Sequence, residues 1–219
     1  MDDAGAEKVR PNRMSRQKQK TRNALVGAAV SVMARKGIEP ATINDITEAA
    51  DVGFGSFYNH FASKEELVGV VTYELLDRIG QRIDEMTVGI SDALDILATS
   101  IRLFIAMLVS KPEWAQFIIR LGLAPEYKRY GIFKRLFRDI GNVAKAPNST
   151  IVDPGTVNFA LGGAMLFMVI ALLEGDLPTD NAPNRIASAA LRILGQKEEA
   201  IAKLIARPLP PVMEIALGE

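Results

Sequence analysis

Residues 42–67 read TINDITEAADVGFGSFYNHFASKEEL, and the fold is decided here. Thr42-Ile43-Asn44-Asp45 has the spacing of a capping box, with Asp in place of Glu, so it starts a short helix that must end by Gly53. That helix is expected to turn Ile46, Ala49 and Ala50 inward. A second short helix is expected over 55–60, after the turn Asp51-Val52-Gly53. Ser63-Lys64-Glu65-Glu66 then forms another capping box, launching a long helix through Leu67, Val71, Leu75 and Ile79. Two short helices joined by a tight turn have the layout of a helix-turn-helix, whose second helix enters the DNA major groove. Length alone does not separate this from other helical hairpins.

Upstream, Leu25, Ala28, Ala29, Val32 and Met33 recur at helical spacing, predicting a helix over 16–36 that Gly37 stops. Net charge over the whole chain is zero, yet Lys8 to Lys36 holds nine Lys or Arg and no acidic residue. Such asymmetry points to a polyanionic partner. Downstream, three- and four-residue apolar spacing predicts helices near 91–110, 112–123, 126–143, 154–174, 183–194 and 197–206. Pro, Gly and Asn mark the breaks, 144–154 reads as an exposed loop, and 207–219 as a proline-containing tail. Strand-type alternation is hard to find, so the expected class is all-α.

Several chemistries lose their basis. No cysteine occurs, which removes disulfides, thiolate nucleophiles and cysteine-held metals. His60 is the sole histidine, so a zinc site or a Ser-His-Asp triad would have to be built around it. No Gly-rich phosphate loop and no Gly-x-Ser-x-Gly is present, and no catalytic residue, metal ligand or cofactor is expected. The polar, basic start cannot serve as a signal peptide. The longest apolar run, 159–173, contains Gly162 and Gly163 and falls short of the roughly 20 residues a membrane helix needs. A cytoplasmic location without membrane contact is the expectation.

The quoted stretch, with the basic helix before it and the run from Phe57 to Glu65, closely resembles the DNA-binding signature of the TetR family of bacterial regulators. The resemblance is strong over 16–71; beyond that only the all-helical layout is similar. It implies an N-terminal three-helix helix-turn-helix DNA-binding domain (16–66) after a flexible basic arm (1–15), then a larger helical ligand-binding and dimerisation domain (67–206) and a tail (207–219). The implied protein is a homodimeric repressor on palindromic double-stranded operator DNA, released by an unknown small-molecule effector. The alternatives are an activator or global regulator of the same fold and, more remotely, an all-α enzyme.

On this reading Phe57 and Phe61 fill the core, while Tyr58, His60 and Lys64 reach phosphates. Phe54, Gly55, Ser56 and Asn59 would read base edges, with Gly55 permitting close backbone approach. Thr42 would both cap its helix and offer a hydroxyl to phosphate, and Lys18, Lys20 and Arg22 would follow the DNA backbone. Gly53 departs from the family, which more often has Ser or Thr there to cap the recognition helix. Farther along, Phe104, Met107, Trp114, Phe117 and Met168 are candidate pocket walls, with Arg102, Arg120 and Asn158 as polar anchors. Each apolar one also fits simple core. The resemblance places the dimer interface on the last two major helices, through Leu161, Met165, Val169, Leu172, Ala187, Ala190, Leu191 and Leu194.

Overall fold

The computed structural model describes residues 13–122, 131–147 and 149–211. Its described residues form ten helices and no strand: α1 (Arg13–Lys36), α2 (Ile43–Ala49), α3 (Phe54–Tyr58), α4 (Lys64–Met86), α5 (Ala93–Ser110), α6 (Pro112–Gly122), α7 (Gly131–Ala144), α8 (Pro154–Glu174), α9 (Ala182–Ile193) and α10 (Glu198–Ile205). The all-α expectation holds. Arg13 to Ser15 belong to α1, so only 1–12 of the expected arm remain, and they lie outside the described residues, as do 212–219 of the tail.

α1 buries Leu25, Val26, Ala29, Val30, Val32 and Met33 along one face. It stops where the Gly37 N–H donates to Met33 O at 2.9 Å and Gly37 takes φ +100°, a conformation that excludes most side chains. Four residues on, the capping box forms as read: Thr42 Oγ1 accepts from Asp45 N–H at 3.1 Å, and the Thr42 N–H donates to Asp45 Oδ2 at 3.1 Å. Lys36 Nζ, 2.6 Å from Asp45 Oδ1, and these Thr42 bonds hold that carboxyl down at about 2. The stabilisation is therefore complete above the ordinary 3.8 and is lost as pH falls through about 2.

α2 turns Ile46 and Thr47 fully inward and Ala50 partly, but Ala49 is exposed, contrary to expectation. The buried stripe runs Ile43, Ile46, Thr47, Ala50, because the Thr47 hydroxyl satisfies itself on the carbonyls of Ile43 (3.0 Å) and Asn44 (3.1 Å) and can enter the core. Asp51 then adopts φ +53°, and the Val52 N–H returns to Thr47 O at 3.0 Å, closing the turn that sets α3 across α2.

Ser63 caps α4 by accepting from the Glu66 N–H at 3.2 Å; the Glu66 carboxylate reaches past it to the Ala62 N–H. α4 then runs 23 residues from the N-terminal helices into the second half of the molecule. There α5 packs on α9 and α7, α6 bridges α1 and α8, and α7 lies against α4, α5 and α8. Buried Leu75, Leu76, Ile79, Leu97, Leu103, Ile105 and Phe117 join these helices into one core.

α5 and α8 are each long and apolar enough to cross a membrane by length and composition, which overturns the estimate drawn from the 159–173 run. Here both are bundle helices. Behind α5, buried Arg102 donates to Asn184 Oδ1 (2.7 Å) and to the Arg207 carbonyl (2.9 Å), while Arg207 pairs with buried Asp95. The start of the expected tail is thus stitched into the second half.

Candidate nucleic-acid interface and ligand cavity

The short α3 can carry few core residues, and it uses one: Phe57 is fully buried, with Phe61 beneath it at a ring separation of 5.7 Å. Everything else on α3 is free to face outward. Phe54 and Tyr58, 52% and 53% exposed, stack edge-to-face at 5.8 Å on the outer side, with Gly55 and Asn59 exposed and Ser56 partly so. Two large aromatic groups held out in water at one turn's spacing are costly unless a partner covers them. A Cβ added to Gly55 meets nothing within 4 Å, so its glycine serves no internal packing need. Gly53 caps α3 without any side-chain bond, which realises the weakness expected there.

The basic residues separate into two roles. Lys18 and Lys20 are exposed on α1, but two residues rotate a helix by about 200°, so they face different sides. Lys18 is on the side of His60: burial, then the charges of Lys18 and Arg22, push the imidazole below its ordinary value. Arg22 is occupied within the fold, with Nη1 at 2.8 Å from Glu74 Oε1 and its guanidinium carbon 5.5 Å from the Phe61 ring centroid. Lys64 is likewise engaged, donating to the carbonyls of Ile38 (3.2 Å) and Glu39 (2.8 Å). Two of its three donors are spent there, which leaves one for a phosphate. Thr42 is exposed and caps α2.

The second half holds a cavity of about 80 Å³ between α4, α5, α6, α7 and α8. A water needs roughly 10–15 Å³ of such space, so the room suits a compact guest of about one ring with small side-chain shifts. Its walls are mainly apolar: Ile83, Leu97, Ile101, Phe104, Leu108, Ile118, Ile119, Ile132, Phe133, Leu136, Met165, Leu166 and Val169. Polar groups enter from Ser100, Asp84, Arg135, Arg138 and Asp139. The Ser100 hydroxyl is buried without a hydrogen-bond partner among the described residues, an uncompensated donor in an apolar wall.

The charged wall is a network. Asp84 receives Arg135 Nε at 2.7 Å on one oxygen and Arg138 Nη2 at 2.8 Å on the other; Arg138 Nε also bonds Asp139 at 2.8 Å. Burial raises Asp84, but the two guanidinium groups outweigh it and hold the carboxyl below its usual range. At Asp139 burial prevails over Arg138, and the carboxyl rises. Adjacent acids are thus pushed in opposite directions, one fixed as an acceptor and one more ready to carry a proton.

Of the pocket residues expected from sequence, only Phe104 lines this cavity. Met107, Trp114 and Phe117 are buried core elsewhere, because their side of the α5–α6 pair packs on neighbouring helices. Met168 is partly buried but off the wall. Arg102 is committed to Asn184 and Arg207, and Arg120 donates to the Ala34 carbonyl at the end of α1 (3.4 Å). Asn158 has a buried, unpartnered Oδ1 away from the cavity. The expected interface residues are corrected too: Leu161, Met165, Val169, Leu172, Ala187, Ala190, Leu191 and Leu194 are all buried within the chain, and Met165 and Val169 face the cavity. The outer side of α8 carries Phe159, Gly163 and Phe167, with Ile193 exposed on α9.

Residues 25–71 match the model of bacterial regulatory proteins of the tetR family, and 92–207 match the tetracyclin repressor-like C-terminal domain, so the two matches cover the head and most of the body. This chain belongs to the TetR family. Its head is that of a family of bacterial regulatory proteins, and regulators of this family bind operator DNA and small molecules as dimers. The transcriptional repressor KstR2 of Mycobacterium tuberculosis is 31% identical over 86 residues, 39% of this chain and 43% of the relative. The repressor DhaR of Mycobacterium sp. (strain GP1) is 40% identical over 62 residues, 28% of this chain and 31% of the relative. The chain thus spans less than half the length of these curated relatives. Among solved structures, RolR in complex with resorcinol aligns at a TM-score of 0.68 and 26% identity, covering 91% of this chain and 100% of that one. A gamma-butyrolactone receptor, at a TM-score of 0.63 and 18% identity over 86% of this chain and 98% of its own, shares the fold.

Proposed function

We propose that this TetR-family regulator is a homodimeric, cytoplasmic repressor without enzymatic activity, released from a palindromic operator when a small hydroxylated aromatic compound fills the cavity. The observation that carries the reading is the cavity wall itself: a single-ring-sized apolar space edged by Asp84, Arg135, Arg138, Asp139 and the unpartnered Ser100 hydroxyl. Apolar walls take a ring, and paired carboxylates with guanidinium groups take its hydroxyls. RolR, structurally similar along its whole length, was solved with resorcinol, a guest of that chemistry.

Base reading falls to Phe54, Gly55, Ser56 and Asn59, with Tyr58, His60 and Lys18 on phosphates, Thr42 and one Lys64 donor beside them, and Lys20 on the flank. Two such heads need a spacing of about 34–36 Å on one face of the duplex, which a dimer provides. The dimer forms through the outer faces of α8 and α9, around Gly163, Phe167 and Ile193, in place of the inward residues expected from sequence.

Selection of genomic fragments by the purified protein tests the first half, followed by titration of resorcinol into the protein–operator complex for the second. Enrichment of a palindrome, lost in Tyr58→Ala, and its release by resorcinol are expected. Absence of any enriched sequence sinks specific repression; resorcinol that binds without releasing DNA sinks the inducer reading.

A further inference from the structure

Asp77 and Asp84 stand seven residues apart on α4, two turns, and so share a face. Arg135 of α7 is stretched along that face, with Nε on Asp84 Oδ2 at 2.7 Å and Nη1 on Asp77 Oδ1 at 3.1 Å. Two glycines make room for it. A Cβ on Gly80 would sit 2.5 Å from Arg135 Nη1 and 2.7 Å from its Cδ, and one on Gly131 would sit 2.6 Å from Nη1 and 2.8 Å from Asp77 Oδ1. Gln81 holds the remaining Asp77 oxygen at 2.6 Å. The guanidinium is thus seated in a groove cut into two helices, a more specific arrangement than a surface ion pair.

Position adds a second point. Asp84 and Arg135 line the cavity, whereas Asp77 and Gly80 do not. The same α4 begins directly after the reading head, at the Ser63 cap. One side chain therefore touches both the proposed ligand space and the helix that carries the head. An isolated ion pair of this exposure adds little stability.

We propose that Arg135 is the coupling residue of this regulator: laid across Gly80, it fastens α4 to α7 while the cavity is empty, and a ligand that takes up Arg135 and Asp84 unfastens it. The ligand half of this statement rests on the cavity reading above; the fastening half does not.

Asp77→Asn and Gly80→Ala break the fastening from outside the cavity. In ligand-free protein each is expected to weaken operator binding by about tenfold, the scale of an ordinary allosteric coupling. The chain has no cysteine, so Glu48→Cys, on exposed α2, places one spin label per head. The distance distribution between the two heads is expected to broaden in Asp77→Asn, while resorcinol binding by calorimetry is retained and tightens, because the ligand no longer has to break the fastening. Wild-type operator affinity in both variants overturns the proposal, and so does a lowered unfolding midpoint accompanied by unchanged label distances. If resorcinol has no effect on wild-type operator binding, the proposed inducer fails, and the ligand-free comparison still decides the fastening.

Discussion

The reading head and the cavity solve opposite problems with the same element, a short apolar helix face. On α3 one aromatic, Phe57, goes in, and two, Phe54 and Tyr58, stay out, all within five consecutive residues. Around the cavity, Phe104 and its neighbours line an internal space drawn from five helices spread over residues 83–169. A surface that reads DNA is written contiguously, because one helix must present it. A cavity belongs to no helix and arises only where five of them fail to close.

The largest effect that sharpens this contrast is on stability. Phe117→Ala, a fully buried core change, is expected to lower unfolding free energy by about 3–5 kcal/mol in urea titration. Phe104→Ala, on the cavity wall, should weaken resorcinol binding by about tenfold, 1.4 kcal/mol. Equal behaviour of the two would erase the distinction between core and wall. Next, Phe167→Glu on the exposed face of α8 should yield monomers in sedimentation and cost about a hundredfold or more in operator affinity, the avidity of a second head.

On the head, Gly55→Ala should stabilise α3 by about 0.5–1 kcal/mol while weakening operator binding, because the added methyl meets no protein atom but stands where the backbone is proposed to meet DNA. A gain in both would move the reading surface elsewhere. His60, the only imidazole, should give one NMR titration curve, centred below 6.5 in free protein. Contact with phosphate favours its protonated form, so operator binding should tighten as pH falls through that range and weaken as it rises, and His60→Gln should flatten the profile. The smallest change, Gly53→Ser, should add a few tenths of a kcal/mol by supplying the missing cap, read as a rise in the thermal midpoint.

The same contrast explains what the sequence made legible. The capping box at Thr42 and Asp45, the Gly37 stop and the inward Phe57 and Phe61 depend on neighbours within a few residues, and each was readable. Ala49 was misplaced because Thr47 satisfies its hydroxyl locally, an option that hydrophobicity alone does not reveal. Sequence alone offers Arg22 and Lys64 to phosphate, whereas their partners in the fold, Glu74 and the carbonyls of Ile38 and Glu39, lie 25 to 52 residues away. At the cavity, Phe104 and Phe117 have the same character on paper, and only packing separates them. Arg135, Arg138 and Asp139 carry no local mark that sets them beside a cavity, since Asp84, the partner of both arginines, lies more than fifty residues away. The available clue was the seven-residue spacing of Asp77 and Asp84 with Gly80 between them, which marks a helix prepared for a crossing cation.

The bonds from Arg102 to the Arg207 carbonyl and from Arg207 to Asp95 also set an order of events during synthesis. Residues 13–86 can bring α1, α2, α3 and α4 against one another soon after they leave the ribosome, and α6 closes on α1 only later. Arg102 must wait 82 residues for Asn184, and it and Asp95 more than a hundred for Arg207, so their buried polar groups are not fully satisfied until that residue emerges. The N-terminal helices of a nascent chain are therefore shaped before the second half can close, and the last polar bonds of that half wait on residue 207.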